Sequence, residues 1–163
     1  MDLQVAGFLE HSTVNGEGFR SVLFVSGCIH HCLDCQNQDM QDFNYGESIS
    51  IDTLYASILK NKPLLDGVTF SGGEPFEQSA TLSKLAKLIK KEGLSIWCYS
   101  GYTYETLFKD PTKRCLLEQI DVLVDGPFIK EKADSALMYR GSSNQHIYAL
   151  NHGQIVKCLD EDF

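Results

Sequence analysis

Three cysteines lie close together in a segment that directly follows an apolar run, and their spacing constrains this chain more than any other feature. The apolar run covers residues 22–25, and Cys28, Cys32 and Cys35 follow it with the spacing C-x3-C-x2-C. Three thiolates on one loop are typical of an iron–sulfur cluster. A [4Fe–4S] cube has four irons, so three protein ligands leave one iron open to a substrate or cofactor. The spacing therefore indicates a cluster that takes part in chemistry.

Zinc is the main alternative for these cysteines, and three buried thiols are the other. A Cys3His zinc site would recruit His30 or His31, which lie inside the cysteine segment. Structural zinc sites usually draw on two separated ligand pairs, and the sequence has no second closely spaced pair downstream. The other cysteines, Cys98, Cys115 and Cys158, share no spacing and are expected to have no role in the site.

The composition is that of a globular protein and excludes several classes of function. The 163 residues predict one domain, over residues 1–163, with 43% hydrophobic and 22% charged residues. The net charge of −8 argues against a nucleic-acid partner, which requires a basic face. No apolar stretch reaches the roughly 18 residues of a membrane span, and residues 1–4 do not resemble a signal peptide. The expected location is the reducing cytoplasm, which also suits clustered cysteines.

Strand-like and helix-like segments alternate along the chain, which predicts an α/β fold. The patterns predict strands over 23–26, 67–70, 95–99 and 120–124, helices over 51–60, 78–92, 104–108 and 111–119, and a final hairpin of 146–150 and 154–159. Such alternation predicts βα units and a parallel sheet flanked by helices. A complete eight-unit barrel takes roughly 250 residues, so this chain has room for about five units. We therefore predict an open, partial (β/α) barrel.

The candidate site residues follow strands, which predicts that they meet at one edge of the sheet. Cys28, Gly72, Ser100 and Asp125 each come after a predicted strand. Parallel strands end at the same edge, where α/β proteins bind their ligands. The turn Gly72-Gly73-Glu74-Pro75 suits a ligand because glycines let the backbone approach it closely. A plain strand-to-helix turn is the alternative.

Three further segments, together with the cysteines, give the chain a family resemblance. They are residues 14–28, residues 69–75 with Gly-Gly-Glu-Pro, and the pair formed by 122–128 (Asp-Gly-Pro-Phe) and 140–145 (Arg-Gly-Ser-Ser-Asn-Gln). The cysteines and the Gly-Gly-Glu-Pro turn resemble the radical S-adenosylmethionine (SAM) superfamily. The remaining segments resemble one family within it, the activating proteins of anaerobic ribonucleoside-triphosphate reductase. The resemblance runs from about Val14 to Gln145 and implies the radical SAM type of partial barrel.

The resemblance implies contacts between particular residues and SAM. It implies that Gly72, Gly73 and Glu74 hold the amino group of SAM, with the Glu74 carboxylate accepting a hydrogen bond from the ammonium. Many members carry an aromatic residue before the third cysteine, where this chain has Asp34. Backbone contacts around Asp34, Cys35 and Gln36 are then expected to hold the adenine.

Other polar residues near the strand ends allow more than one interpretation. Ser100 could reach the ribose or the carboxylate of SAM, or belong to an ordinary turn. Asp125 could bind the ribose, orient Arg140 or cap a turn, and Arg140 could pair with Asp125 or with a carboxylate of the cofactor. His30 and His31 are interpreted as solvated loop histidines, although histidines there could donate hydrogen bonds to cluster sulfides. Asn37 is expected to cap the backbone near the cluster.

The implied activity is that of a radical SAM activase. An electron from a low-potential donor such as flavodoxin or ferredoxin would cleave SAM, and the resulting 5′-deoxyadenosyl radical would remove hydrogen from a backbone glycine of the reductase. A short chain has little room for a substrate pocket, so this partner would close the site. The alternatives are a radical SAM enzyme for another glycyl-radical enzyme, a peptide or a small molecule, and a zinc or electron-transfer module without catalysis.

Overall fold

The computed structural model describes residues 1–32, 35 and 37–163 of the chain, as one sheet with helices packed on it. The strands are β1 (Asp2–Ser12), β2 (Arg20–Val25), β3 (Glu47–Ser50), β4 (Gly67–Gly72), β5 (Ser95–Tyr99), β6 (Val122–Asp125), β7 (His146–Asn151) and β8 (Gln154–Cys158). The helices are α1 (Ile51–Lys60), α2 (Ser79–Lys91), α3 (Tyr104–Lys109) and α4 (Pro111–Leu117).

The sheet is mixed, which corrects the prediction of a parallel sheet. Its eight strands are ordered β3-β1-β2-β4-β5-β6-β7-β8. The four central strands, β2, β4, β5 and β6, pair in parallel. The strands on either side pair antiparallel to their neighbours. The α/β class is confirmed, whereas the strand pairing of the described residues does not confirm the open, partial barrel.

The predicted helices and central strands are found close to their expected positions because their signals are local. The first helix has the predicted bounds, and the Ser50 hydroxyl accepts a hydrogen bond from the backbone N–H of Thr53 at its start. The second helix ends before Gly93, whose φ of +77° favours glycine. The apolar faces of both helices pack with the central strands into the main core.

The strands β1 and β3 were absent from the sequence prediction. The first pairs with β2 through a register that shifts between Val5 and Gly7 and again between Leu9 and Ser12. These shifts interrupt the regular alternation of buried and exposed residues on which a strand prediction depends. The third strand has only four residues and pairs with the start of β1. Both therefore depend on pairing between distant segments.

Arg20 joins the amino ends of three central strands. It is 1% exposed, and all five of its guanidinium N–H groups are donated. The Nε donates to the Thr69 hydroxyl, one terminal nitrogen to the Glu17 carbonyl and the Ser95 hydroxyl, and the other to the carbonyls of Val68 and Ser95. These hydrogen bonds tie the starts of β2, β4 and β5 together at the edge remote from the cysteines.

Within the part of the chain that the structure describes, no helix combines the length and apolar character needed to cross a membrane.

Candidate iron–sulfur and SAM site

The cysteine loop leaves the sheet after β2, and backbone hydrogen bonds join its two ends. The N–H of Gly27 donates to the Met40 carbonyl over 2.7 Å, and that of Cys28 to the Gln41 carbonyl over 3.1 Å. These bonds bring the start and end of the loop side by side. The turn after β4 then attaches to the same place, because the Glu74 N–H donates to the Gly27 carbonyl over 2.7 Å.

The three cysteines of the loop line one cleft. Cys28 is 8% exposed, while Cys32 and Cys35 are half-buried. Burial raises the pKa of the Cys28 thiol to about 11, so metal binding there must displace a proton. Asn37 lies next to them, as expected: its N–H approaches the Cys35 sulfur over 3.4 Å, and its side-chain amide donates to the Gly72 carbonyl over 3.2 Å.

The cleft has a volume of about 380 Å³ and lies at the carboxyl edge of the central strands. Gly72, Gly73 and Ser100 line it together with the cysteines, as predicted from their positions after strands. Its far wall comes from segments after β6 and before β7, and includes Gly126, Phe128, Tyr139, Arg140, Gly141 and Gln145. Cys98, Cys115 and Cys158 are not among its lining residues.

The donor set of this cleft suits an iron–sulfur cluster. Three thiols on one short loop can each bind a different iron of a cube. In the described ranges, no three His, Cys, Asp or Glu side chains converge as ligands of a single metal ion. Behind the thiols, a methyl group at Gly73 would come within 2.6 Å of the carbonyl oxygens of Gly27 and Met40. Glycine at this position is therefore required for the loop to lie against the turn.

Glu74 is buried beneath the cleft rather than exposed in it. Its residue exposure is 0%, and it is not among the residues that line the cleft. Its carboxyl oxygens accept hydrogen bonds from the Ser100 hydroxyl and from the backbone N–H groups of Gly101 and Phe76. His30 Nε2 lies 2.7 Å from one of these oxygens.

Asp125 also has backbone partners and lies outside the cleft lining. It is buried, and its oxygens accept from the N–H groups of Tyr104 and His146. Burial raises the pKa of this carboxyl above its usual value. Of the three interpretations of Asp125, the geometry matches the turn cap, and its predicted contact with SAM stays a prediction. Asp34 and Gln36 lie outside the described residues.

Arg140 is held at the far wall of the cleft, but not by Asp125. Its terminal nitrogens donate to the carbonyl oxygens of Gln145 and Asp160, over 3.3 Å and 3.1 Å. The side chain is 9% exposed, and its Nε has no hydrogen-bond partner in the described ranges of the chain. A buried donor without a partner is costly, so this wall has one hydrogen bond to offer a ligand or a water molecule.

His30 differs from the sequence interpretation, whereas His31 matches it. The His30 side chain is 14% exposed, approaches Glu74, and packs edge-on against Tyr102 with ring centres 4.4 Å apart. His31 is exposed and has a φ of +49°. The contact of His30 with Glu74 spans 44 positions of sequence, so local composition gave no signal for it.

Comparison with known proteins identifies the family. The model of the 4Fe–4S single cluster domain matches residues 14–148. The anaerobic ribonucleoside-triphosphate reductase-activating protein of Haemophilus influenzae is 38% identical over 142 residues, which cover 83% of this chain and 90% of that protein. Its counterpart in Escherichia coli is 34% identical over 144 residues, covering 84% and 92%. The chain belongs to this family of activating proteins.

Family membership favours the iron–sulfur interpretation of the cysteines over the zinc alternative. The domain match includes all three cysteines of the loop, the glycine turn and the far wall of the cleft. Within this activating-protein family, the activating protein of Vibrio cholerae is 39% identical over 143 residues, covering 83% of this chain and 90% of that protein. The family therefore supports a [4Fe–4S] cluster and SAM as the cofactors of this cleft.

A solved structure with low sequence identity to this chain supports the fold. The crystal structure of QueE from Escherichia coli superimposes with a TM-score of 0.51, covering 63% of this chain and 54% of that chain. The two sequences are 18% identical, so this likeness concerns the fold alone.

Proposed function

We propose that this chain is a radical SAM activase that generates a glycyl radical on anaerobic ribonucleoside-triphosphate reductase, and that residues 1–163 form one radical SAM domain. The observation that carries the proposal is the cleft in which three loop thiols face a glycine turn at the carboxyl edge of parallel strands. The names of the relatives, which are activating proteins of that reductase, support the choice of target.

In this proposal Cys28, Cys32 and Cys35 hold the cluster, and the backbone of Gly72 and Gly73 borders SAM. With SAM bound, a cluster of this kind would supply the electron that cleaves the sulfonium, and this cleavage would produce the radical that removes a hydrogen atom. The protein orients the ligand: Ser100 and Gly101 limit the cleft at the end of β5, and the side chains of Phe128, Tyr139 and Arg140 limit it beyond β6.

The partner would complete the site from outside. The cleft is open to the surface, and exposed apolar side chains lie in segments that contribute to its lining, at Val14, Ile29 and Met138. Exposed apolar groups of this kind suit a protein partner. The glycine to be activated must approach the reacting carbon of SAM, so it would enter on a flexible loop. A low-potential donor such as flavodoxin or ferredoxin would supply the electron.

Radical transfer to the reductase tests the proposal. The protein, reconstituted anaerobically with iron and sulfide, would be mixed with SAM, a reductant and the reductase from the same cell. The expected result is a glycyl-radical doublet in electron paramagnetic resonance that is lost in Cys28→Ala and retained in Cys158→Ala. If SAM is cleaved but no radical forms on the reductase, the target is a different protein, a peptide or a small molecule.

A further inference from the structure

We propose that Glu74 is a positioning residue that anchors the cysteine loop, which it reaches through His30. This inference rests on the proposed function only for the presence of a cluster in the cleft. It assigns a positioning role to two side chains, in addition to the contact with SAM that the family resemblance implies for Glu74.

The Glu74 carboxyl group already has a full set of partners inside the protein. One oxygen lies 2.7 Å from His30 Nε2, 2.7 Å from the Gly101 N and 3.0 Å from the Ser100 hydroxyl. The other accepts from the Ser100 hydroxyl over 2.9 Å and from the Phe76 N–H over 3.1 Å. Because the residue is fully buried, these contacts hold the carboxyl group in place beneath the cleft.

The partners of Glu74 come from the ends of three parallel strands. Glu74 itself follows β4, Ser100 and Gly101 follow β5, and His30 lies in the loop after β2. One buried carboxyl group therefore fixes the cysteine loop relative to both neighbouring strand ends. A network of this kind defines a unique arrangement only while every member is paired.

The His30 ring packs tightly against the groups around it. A methyl group at Gly101 would lie 2.5 Å from the ring carbon Cδ2 of His30, so glycine makes room for the imidazole. Tyr102 packs edge-on against the same ring, and its hydroxyl donates to Glu77. Lys113 lies over the Tyr102 ring at 5.1 Å. The imidazole is thus confined by the segment that follows β5 and by the turn after β4.

The position of His30 between two cysteines links this network to the thiols. Cys28 lies two residues before it and Cys32 two residues after it. The backbone N–H of His30 also hydrogen-bonds the Cys28 thiol. Fixing the imidazole therefore fixes the span of backbone that carries two of the three ligands. Removing a group that hydrogen-bonds to a metal ligand or positions it typically lowers metal affinity by about 10–100-fold.

Four variants test the anchor. His30→Leu removes the ring nitrogen, whereas His30→Gln keeps a side-chain donor. Glu74→Gln keeps the shape of the carboxyl group, and His31→Asn is the control. Asn is chosen because His31 is exposed and has a positive φ that Asn tolerates. Each protein is reconstituted anaerobically, and circular dichroism checks that it is folded. The readouts are the rate of cluster loss to a chelator, the resonance spectrum of the reduced cluster, and SAM binding by equilibrium dialysis.

The anchor predicts that His30→Leu loses its cluster at least about tenfold faster than wild type, with a changed resonance spectrum. Partial rescue is expected in His30→Gln and none of these effects in His31→Asn. His30→Leu and Glu74→Gln should be non-additive when combined, since both alter the same contact. The proposal is overturned if His30→Leu keeps its cluster as wild type does, or if His31→Asn loses its cluster as fast as His30→Leu. None of these readouts involves the reductase, so a wrong target would leave their outcome unchanged.

Discussion

The two edges of the central sheet each contain a buried ionisable side chain that joins the same three strands. At the amino edge Arg20 bonds to the starts of β4 and β5 from the start of β2, through carbonyls and hydroxyls of the strands themselves. At the carboxyl edge Glu74 joins the ends of these strands, but its partners lie in the loop and turns that follow them. The first arrangement ties together regular structure, and the second ties together the segments that form the cleft.

The comparison indicates that the same kind of contact supports stability at the amino edge and function at the carboxyl edge. Loss of the Arg20 contacts would leave strand carbonyls without donors in the core, so the whole fold should weaken. Loss of the His30 contact would free the middle of a loop whose ends are still bonded to each other and to the turn after β4, so the fold should persist while the thiols lose their positions. Four predictions sharpen or break this comparison.

The largest effect is expected at the thiols. Changing Cys28, Cys32 or Cys35 to Ala should abolish the cluster, because in the proposed site each thiolate binds one iron and the loop sequence has no fourth cysteine. Iron content and visible absorption measure this. Cys98→Ala, Cys115→Ala and Cys158→Ala are the controls and should keep the brown colour; a colourless Cys115→Ala protein would contradict the assignment of the ligands.

The second effect is global and belongs to the amino edge. Arg20→Met should lower the free energy of unfolding of the metal-free protein by about 3 kcal/mol, because several buried carbonyl and hydroxyl acceptors lose their donor. Urea denaturation measures this, with Lys87→Met on the exposed face of α2 as the control. If the protein with Arg20→Met is as stable as the control, the amino edge does not depend on this side chain.

The sequence predicted the elements of this protein better than the contacts within its site. The first helix and β5 were predicted with their observed bounds because periodicity and capping are local signals. The three cysteines, Gly72, Gly73 and Ser100 were placed correctly at one edge because parallel strands end together. The burial of Glu74 could not be predicted, since its partners His30 and Ser100 are 44 and 26 positions away.

The third prediction distinguishes a glycine that serves the loop from one that serves the ligand. A methyl group at Gly73 would meet the carbonyl oxygens of Gly27 and Met40, and the Gly27 N–H and the Met40 carbonyl join the two ends of the cysteine loop. Gly73→Ala should therefore shift the loop at a cost of about 1–3 kcal/mol and speed cluster loss to a chelator about tenfold. Gly7→Ala in β1, where a methyl group meets only ordinary contacts, is the control.

If Gly73→Ala keeps its cluster at the wild-type rate but binds SAM more weakly, the glycine faces the ligand and not the loop. A larger residue such as Val would not separate the two roles, because it would disturb the loop and the cleft together. The alanine variant is the more informative because the methyl group probes only the side that faces Gly27 and Met40.

The smallest effect is expected at the far wall of the cleft, where the Nε–H of Arg140 has no partner among the described residues. Arg140→Lys keeps the positive charge but removes Nε and cannot hold the carbonyls of both Gln145 and Asp160. We expect the SAM dissociation constant of the reconstituted protein to rise several-fold, equivalent to about 1 kcal/mol, with an unchanged rate of cluster loss. Equilibrium dialysis and the chelator assay measure the two quantities. Among the described residues, this wall lies on segments that neither Arg20 nor Glu74 contacts. Cluster loss in Arg140→Lys would therefore mean that the cysteine loop also depends on parts of the carboxyl edge outside the Glu74 network.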